Sequence, residues 1–501
     1  MPGELPRNAP LALSPADFRR LGHTLVDRLS DFLQELPTRP VACGESPRTV
    51  QAVLDADRLL PSGPASPDDL LARAIDLLAS HSLFNGHPRF FGYVTASAAP
   101  LGMLGDFVAA AMNANVGAWR LSPMASEIER QTVRWIGQLL GYREGGSGLF
   151  VSGGNMANIV GFLAARAAAG TRWGLRERGL RAADGPPLAV YASAETHTWL
   201  HKAADISGLG TDAIRWVPTA ADLRIDTTAL RAMLAEDLAA GVAPMLVVGT
   251  AGSVSTGVVD PLAELGAICR EHDTWFHVDG AYGAPAAAVA GTPDDLQALD
   301  LADSLAVDPH KWLYAPLEAG CVLTRDDAVL REAFSYHPAY YHFDDSGGVN
   351  YVDLGPQNSR GFKALKVWLT LQQAGADGYR RMIADDIALA RRLYDAAAAH
   401  PELDACSCSL SITTFRYVPL DCAARTREPG VGRYLDALNE ALLERLQQGG
   451  DAFVSNAIVN GRYLLRACVV NINTGPGDVD AVPEIVVRIG RELHASGAVP
   501  A

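Results

Sequence analysis

Residues 303–312 read Asp-Ser-Leu-Ala-Val-Asp-Pro-His-Lys-Trp, and the rest of the chain is organised around them. The apolar run at 305–307 predicts a short buried strand, and Pro309, with no N–H to give to a ladder, ends it. Lys311 follows at once, between His310 and Trp312. Alone, a His-Lys pair after a strand is an ordinary surface feature. A lysine leaving a buried strand is also expected to be desolvated, which lowers its pKa and frees the amine for imine formation.

A second stretch decides between these readings. It lies 32 residues upstream of Lys311, where His277-Val-Asp-Gly-Ala-Tyr-Gly-Ala284 places Asp279 at the end of another apolar segment. One strand delivering an Asp and another delivering a Lys is what pyridoxal phosphate requires. The amine holds the aldehyde as a Schiff base, and the carboxylate pairs with the protonated ring nitrogen.

Further apolar segments at 148–151, 188–192, 245–249 and 321–324 alternate with helical stretches. Continuous apolar strands separated by helices predict an α/β fold, with a large, mostly parallel sheet covered on both faces. Sites in such folds lie beyond the carboxyl ends of the strands, where Lys311, Asp279 and the Gly153-Gly154 turn all fall.

Residues 1–85 predict an N-terminal helical arm. Ser14-Pro-Ala-Asp17 is a helix start, with Phe18, Leu21, Leu25, Leu29 and Phe32 at helical spacing after it; Leu70, Leu71, Ile75 and Leu78 mark another helix. The arm has apolar faces but too little sequence for its own core, so it is expected to pack on a partner subunit. Residues 86–375 are expected to form the large cofactor-binding domain. Residues 376–501 read as a small α+β domain, with strands at 410–417 and 463–471 and helices at 432–447 and 479–494. The aromatic, aperiodic segment 334–352 predicts a mobile loop.

With 501 residues, 49% of them hydrophobic, the chain can build a large core. A net charge of −15, without a Lys/Arg block, argues against nucleic acid or anionic membranes as partners. The start of the chain lacks the pattern of a signal peptide. The richest apolar run, 96–112, contains Asp106 and falls short of the roughly 18 residues of a membrane helix. Seven scattered cysteines, an odd number, point to reduced thiols and a cytoplasmic location. Cys406-Ser-Cys408 has no second pair, so no metal site is expected.

Three further features complete the candidate site. Ser152-Gly-Gly-Asn155 joins a strand to a helix and suits a phosphate, though alone it is equally a plain connection. Asp279 and Ala281 point the same way on an extended segment, one at a ring nitrogen and one beneath a ring face; an Asp there is otherwise a helix cap. His197, in Glu195-Thr-His-Thr, opens a helix after a strand and can stack on the second ring face, or else simply cap.

Together, His87-Pro-Arg-Phe-Phe, His197, Asp279-Gly-Ala-Tyr, Pro309-His-Lys-Trp and Ser359-Arg-Gly-Phe-Lys-Ala-Leu-Lys366 resemble the pyridoxal-phosphate-dependent group II amino-acid decarboxylases. That family includes the aromatic-amino-acid, histidine and glutamate decarboxylases. The resemblance runs over roughly residues 15–490 and implies the pyridoxal-phosphate fold type I, aspartate-aminotransferase-like, as a homodimer with the site at the subunit interface. It implies Lys311 as the Schiff-base lysine, Asp279 as the ring-nitrogen partner, His197 as the stacking histidine and Ala281 as the opposite-face contact. Gly154 and Asn155 would hold phosphate, and His310 would line the site. Tyr340, or adjacent Tyr341, matches the loop tyrosine that protonates the substrate carbon, and Arg466 falls where the family keeps an arginine near the substrate. Tyr93, Thr95 and Trp119 stand in the segments expected to meet the substrate.

The chain departs from the family at Gly252-Ser-Val254, where Gly-Thr-Thr is usual, leaving a hydroxyl contact to Ser253 or Thr250. Asp308 stands where Asn is frequent and adds a charge near the phosphate. The implied reaction is decarboxylation of an L-amino acid to an amine and CO2. Phe90, Phe91, Tyr93 and Trp119 favour an aromatic substrate, whereas Arg120 would suit glutamate or aspartate. The alternatives are an aldehyde synthase on the same scaffold, an aminotransferase or lyase of the same fold, and a non-enzymatic cofactor-binding protein.

Overall fold

A computed structural model of the chain describes residues 9–143, 146–182, 185–337 and 347–497. Seven strands form the large sheet: β1 (Ser147–Val151), β2 (Leu188–Ser193), β3 (Ile214–Val217), β4 (Ala243–Thr250), β5 (Trp275–Asp279), β6 (Ser304–Val307) and β7 (Gly320–Thr324). Their spatial order is β1-β7-β6-β5-β4-β2-β3. β3, β2, β4, β5 and β6 pair in parallel, and β7 runs antiparallel to both β6 and β1. β6 and β7 are buried along their whole length, which is why their sequences read as unbroken apolar runs. The edge strand β3 (Ile-Arg-Trp-Val) carries Arg215 in four residues and has no such run.

Register is what assembles the site. Thr250 pairs with Asp279, and Asp279 with Ala306, so β4, β5 and β6 finish level at one edge of the sheet. The helix Gly154–Gly170 crosses beneath them. At Gly161 a Cβ would lie 2.8 Å from the His277 ring, so this helix approaches the sheet only with glycine there.

A second sheet of β8 (Leu403–Ser409), β9 (Ile412–Tyr417), β10 (Ser455–Val459) and β11 (Arg462–Cys468) is antiparallel, in the order β10-β11-β9-β8. Helices Pro429–Gly449 and Pro476–Ser496 give it a core of its own that includes Leu438, Leu442, Val482 and Val486. Phe91 joins this core: its N–H donates to the Phe453 carbonyl at 2.7 Å, and its own carbonyl accepts from Cys468 at 2.9 Å. Gly375, at φ +63°, breaks the long helical stretch Ala364–Ala399 in two.

The N-terminal arm is helical at Pro15–Glu35, Pro47–Leu54 and Pro67–Ser80. Ser14, Ser46 and Ser66 cap these helices, each followed by proline at the first helical position. Phe18, Leu29, Leu70 and Leu78 on the arm are exposed, as are Leu104, Phe107, Val108 and Met112 on the helix Pro100–Met112. No helix among the described residues is long and apolar enough to cross a membrane.

Candidate active site

Asp279 ends β5 with both carboxylate oxygens engaged. Oδ2 accepts from Trp199 Nε1 at 2.8 Å, and Oδ1 accepts from the Ala281 backbone N–H at 3.2 Å. Two donors from separate segments leave the carboxylate one orientation. Trp199 is fully buried and escaped the sequence reading, because a tryptophan in the first turn of a helix looks like core. Behind it, His277 is sealed between Ser304 Oγ (2.8 Å) and Asn158 Oδ1 (2.7 Å), and burial pushes its pKa down to about 4. It is a satisfied core histidine.

Lys311 sits in a tight turn after β6, with its N–H donating to the Asp308 carbonyl at 2.9 Å. Trp312 anchors that turn. Its ring stacks on Tyr282 at 5.0 Å, and its Nε1 donates to Asp386 Oδ2 at 2.9 Å. Tyr314 donates to the same oxygen at 2.6 Å, while burial pushes Asp386 up to about 8. The lysine Nζ lies 2.9 Å from Asp308 Oδ2. Here the expectation of a lowered pKa is corrected. Burial does pull the ammonium down, but the charges of Asp308 and Asp279 outweigh it and hold Lys311 above its ordinary value.

The turn Ser152-Gly153-Gly154-Asn155 faces this lysine across a cavity of about 410 Å3. Glycine is required in it: a Cβ on Gly154 would fall 2.5 Å from Asp308 Oδ2, and one on Gly153 3.1 Å from the His310 ring. His310 Nδ1 accepts from the Ala319 N–H at 3.0 Å, which puts its proton on Nε2, and burial lowers its pKa. His197 lies on the same wall. Its Nδ1 accepts from the Trp199 N–H at 3.3 Å, just ahead of the helix, and burial lowers its pKa.

The cavity therefore brings together Gly154, Asn155, His197, Asp279, Ala281, His310 and Lys311. Ser253 is not on its wall, because Gly252 (φ +92°) turns the chain and the serine hydroxyl pairs with Thr256 Oγ1 at 2.9 Å. Thr250, the other candidate, is on the wall, and its backbone N–H donates to Asp260 Oδ2 at 2.8 Å. These residues fit pyridoxal phosphate. A helix N-terminus with a glycine turn suits the phosphate, a fixed carboxylate suits the ring nitrogen, and an amine stands ready for the aldehyde.

The candidate substrate residues lie off this wall. Trp119 donates from Nε1 to Glu127 at 3.0 Å, and Gly348 packs so closely that a Cβ there would lie 2.4 Å from its ring. Thr95 is half-buried, and Tyr93 is exposed with φ +53°. Arg466 is buried, donating from Nη1 to the Tyr93 carbonyl (2.9 Å) and Ser455 Oγ (3.1 Å), while its Nε and Nη2 have no hydrogen-bond partner. Arg120 is exposed. Tyr340 and Tyr341 lie outside the described residues.

This geometry has known counterparts. The model of the pyridoxal-dependent decarboxylase conserved domain matches residues 50–418. An aromatic-L-amino-acid decarboxylase of Bacillus atrophaeus is 31% identical over 498 residues, 97% of this chain and 98% of that protein. A phenylacetaldehyde synthase of Petunia hybrida is 30% identical over 473 residues, 91% of each chain. The crystal structure of Oryza sativa TDC with PLP and tryptamine matches with a TM-score of 0.88 at 27% identity, over 97% of this chain and 100% of that one. Since the likeness extends through both sheets and the turn that carries Lys311, this chain belongs to the pyridoxal-dependent decarboxylase family, as a carboxy-lyase of fold type I that uses pyridoxal phosphate.

Proposed function

We propose that the protein decarboxylates an aromatic L-amino acid to its amine and CO2. The carrying observation is the charge on the cavity wall. Its one cation is Lys311, since burial keeps His197 and His310 neutral; no arginine lines it among the described residues, and Glu195 and Glu318 stand on it. A side-chain carboxylate would find repulsion there, whereas a neutral aromatic side chain meets none. The names of the relatives from Bacillus atrophaeus and Petunia hybrida support the same substrate class.

Pyridoxal phosphate, when bound, supplies the electron sink for the breaking Cα–carboxylate bond. Asp279, oriented by Trp199 and Ala281, holds the proton on the ring nitrogen. Lys311 would provide the amine that holds the cofactor. His197, neutral through burial, would cover one ring face and Ala281 the other. Gly154 and Asn155 would receive the phosphate end. Tyr340, or Tyr341 beside it, delivers the proton to the substrate carbon, and Arg466, with its unpaired Nη2, lies behind Tyr93 on the substrate side.

A panel of tyrosine, dopa, phenylalanine, tryptophan, glutamate and aspartate, scored by CO2 release, is expected to give turnover with the aromatic amino acids. Turnover of glutamate or aspartate with no aromatic substrate would sink the assignment, and Arg120→Ala would then be the next variant. The Petunia hybrida relative supports one other reading, an aldehyde synthase. Oxygen uptake in the same assay separates the two, and none is expected, since His197 remains on the wall and Tyr340 in the sequence.

We also propose a homodimer with the site at its interface, a cytoplasmic location, and division into an arm (1–85), a large domain (86–375) and a small domain (376–501). The exposed apolar residues of the arm and of the helix Pro100–Met112 support the dimer, and seven unpaired cysteines support the location. Sedimentation is expected to give twice the 53.1 kDa chain mass. An active monomer would refute the dimer.

A further inference from the structure

The three residues after Lys311 are all held by one helix. Trp312 Nε1 and the Tyr314 hydroxyl both donate to Asp386 Oδ2, at 2.9 and 2.6 Å. Tyr379, about two helical turns before Asp386 and so on the same face, donates its hydroxyl to the Leu313 carbonyl at 3.1 Å. Trp312, Tyr314, Tyr379 and Asp386 are all buried. The Asn471 backbone N–H meets the same carboxyl, and the Asn471 side chain donates to the His87 carbonyl at 2.8 Å. Asp386 therefore stands between the lysine turn and the segment that leads to Tyr93.

The turn it holds is strained. Tyr314 has φ +54°, in the left-handed region, where a bulky residue stays only if its surroundings hold it. Its N–H closes on the Lys311 carbonyl at 3.1 Å, so a relaxed Tyr314 shifts the lysine backbone. A leucine at 386 would spare the desolvation that pushes this acid up to about 8, but it would hold neither donor.

We propose that Asp386 is a positioning residue for the reaction: as the shared acceptor of Trp312 and Tyr314, it holds the strained turn that aims the Lys311 amine into the cavity. This rests on the reading of Lys311 as the amine that holds the cofactor. Asp386 is not on the cavity wall, so it acts through the turn. The Ala99 N–H, donating to the Tyr314 carbonyl at 2.8 Å, is a second tether, so loss of Asp386 loosens the turn without freeing it.

The test uses the full-length protein with Asp386→Leu, which removes the acceptor, and Asp386→Asn, which keeps an oxygen for both donors. Two rates are read below the melting temperature of each variant. One is the appearance of imine absorbance when pyridoxal phosphate is added to cofactor-free protein. The other is kcat per bound cofactor, with the amino acid that the substrate panel identifies. Asp386→Leu is expected to slow both by about ten- to a hundredfold, with KM within about threefold of wild type. Asp386→Asn is expected to recover most of each rate.

A role in stability alone lowers the melting temperature and leaves both rates of the folded protein unchanged. That result overturns the proposal, as does a loss carried by KM alone or an asparagine variant as slow as the leucine variant. If Asp386→Leu does not fold, Tyr314→Phe and Trp312→Phe decide, since each removes one donor and keeps a ring. Each is expected to slow imine formation by about threefold or more, and wild-type rates in both overturn the proposal. Absence of imine absorbance in the wild type overturns the cofactor reading itself, a result distinct from unchanged rates.

Discussion

Asp279→Ala is expected to retain bound cofactor yet lose turnover by about a thousandfold or more, since the charge facing the electron sink is gone. The variant removes the one carboxylate at the end of β5, the group proposed to face the ring nitrogen. It leaves Lys311, the glycine turn and His197 where they are, and these suffice for binding. A second consequence follows from the hydrogen bonds. Without Asp279, the indole N–H of the fully buried Trp199 has no acceptor, at a cost of about 1–3 kcal/mol. Thermal melting must therefore be read alongside turnover. Loss of activity in protein that still binds cofactor at the assay temperature assigns the carboxylate to the chemistry. Near-normal turnover would instead make it structural.

That prediction rests on a residue the sequence disclosed, and the contrast with what it concealed is instructive. Asp279 and Lys311 were legible because each follows a buried parallel strand, whose two covered faces make it an unbroken apolar run. The edge strand β3 and the half-buried β8 (Leu-Asp-Ala-Cys-Ser-Cys-Ser) carry no such signature and were missed. β10 was missed although a local signal existed. Asn460-Gly461, with φ of +51° and +73°, forms the two-residue turn into β11, and Asn-Gly is a strong hairpin pair.

Contacts within the site were less legible than its members. Trp199 meets Asp279 across 80 residues, and no spacing rule reaches that far. The choice between Ser253 and Thr250 depends on the turn at Gly252, which takes one off the cavity wall and leaves the other on it. The proton affinity of Lys311 came out opposite to expectation. Burial is readable from an apolar strand, but the carboxylates that outweigh it become neighbours only once the register of β5 and β6 is known.

Lys311 itself gives the second large effect, and two substitutions are needed to interpret it. Lys311→Ala is expected to reduce turnover by at least about 10^4-fold, since the amine that holds the cofactor is lost. It also strips Asp308, a buried acid, of the cation 2.9 Å away, so part of any loss can come from a disturbed site. Lys311→Arg separates the two effects. The guanidinium keeps a positive charge beside Asp308 but does not deprotonate to attack an aldehyde. This variant is therefore expected to melt above Lys311→Ala, to lack the imine absorbance, and to be as inactive as the alanine variant. In the wild type, borohydride reduction followed by peptide mapping is expected to label Lys311 alone. A label on Lys366 fails on physical grounds as well, because its Nζ is committed to Asp106 at 3.0 Å and it does not line the cavity. Were the label found there or on any other lysine, or were Lys311→Arg to keep the absorbance, the turn after β6 would lose its place as the reactive centre.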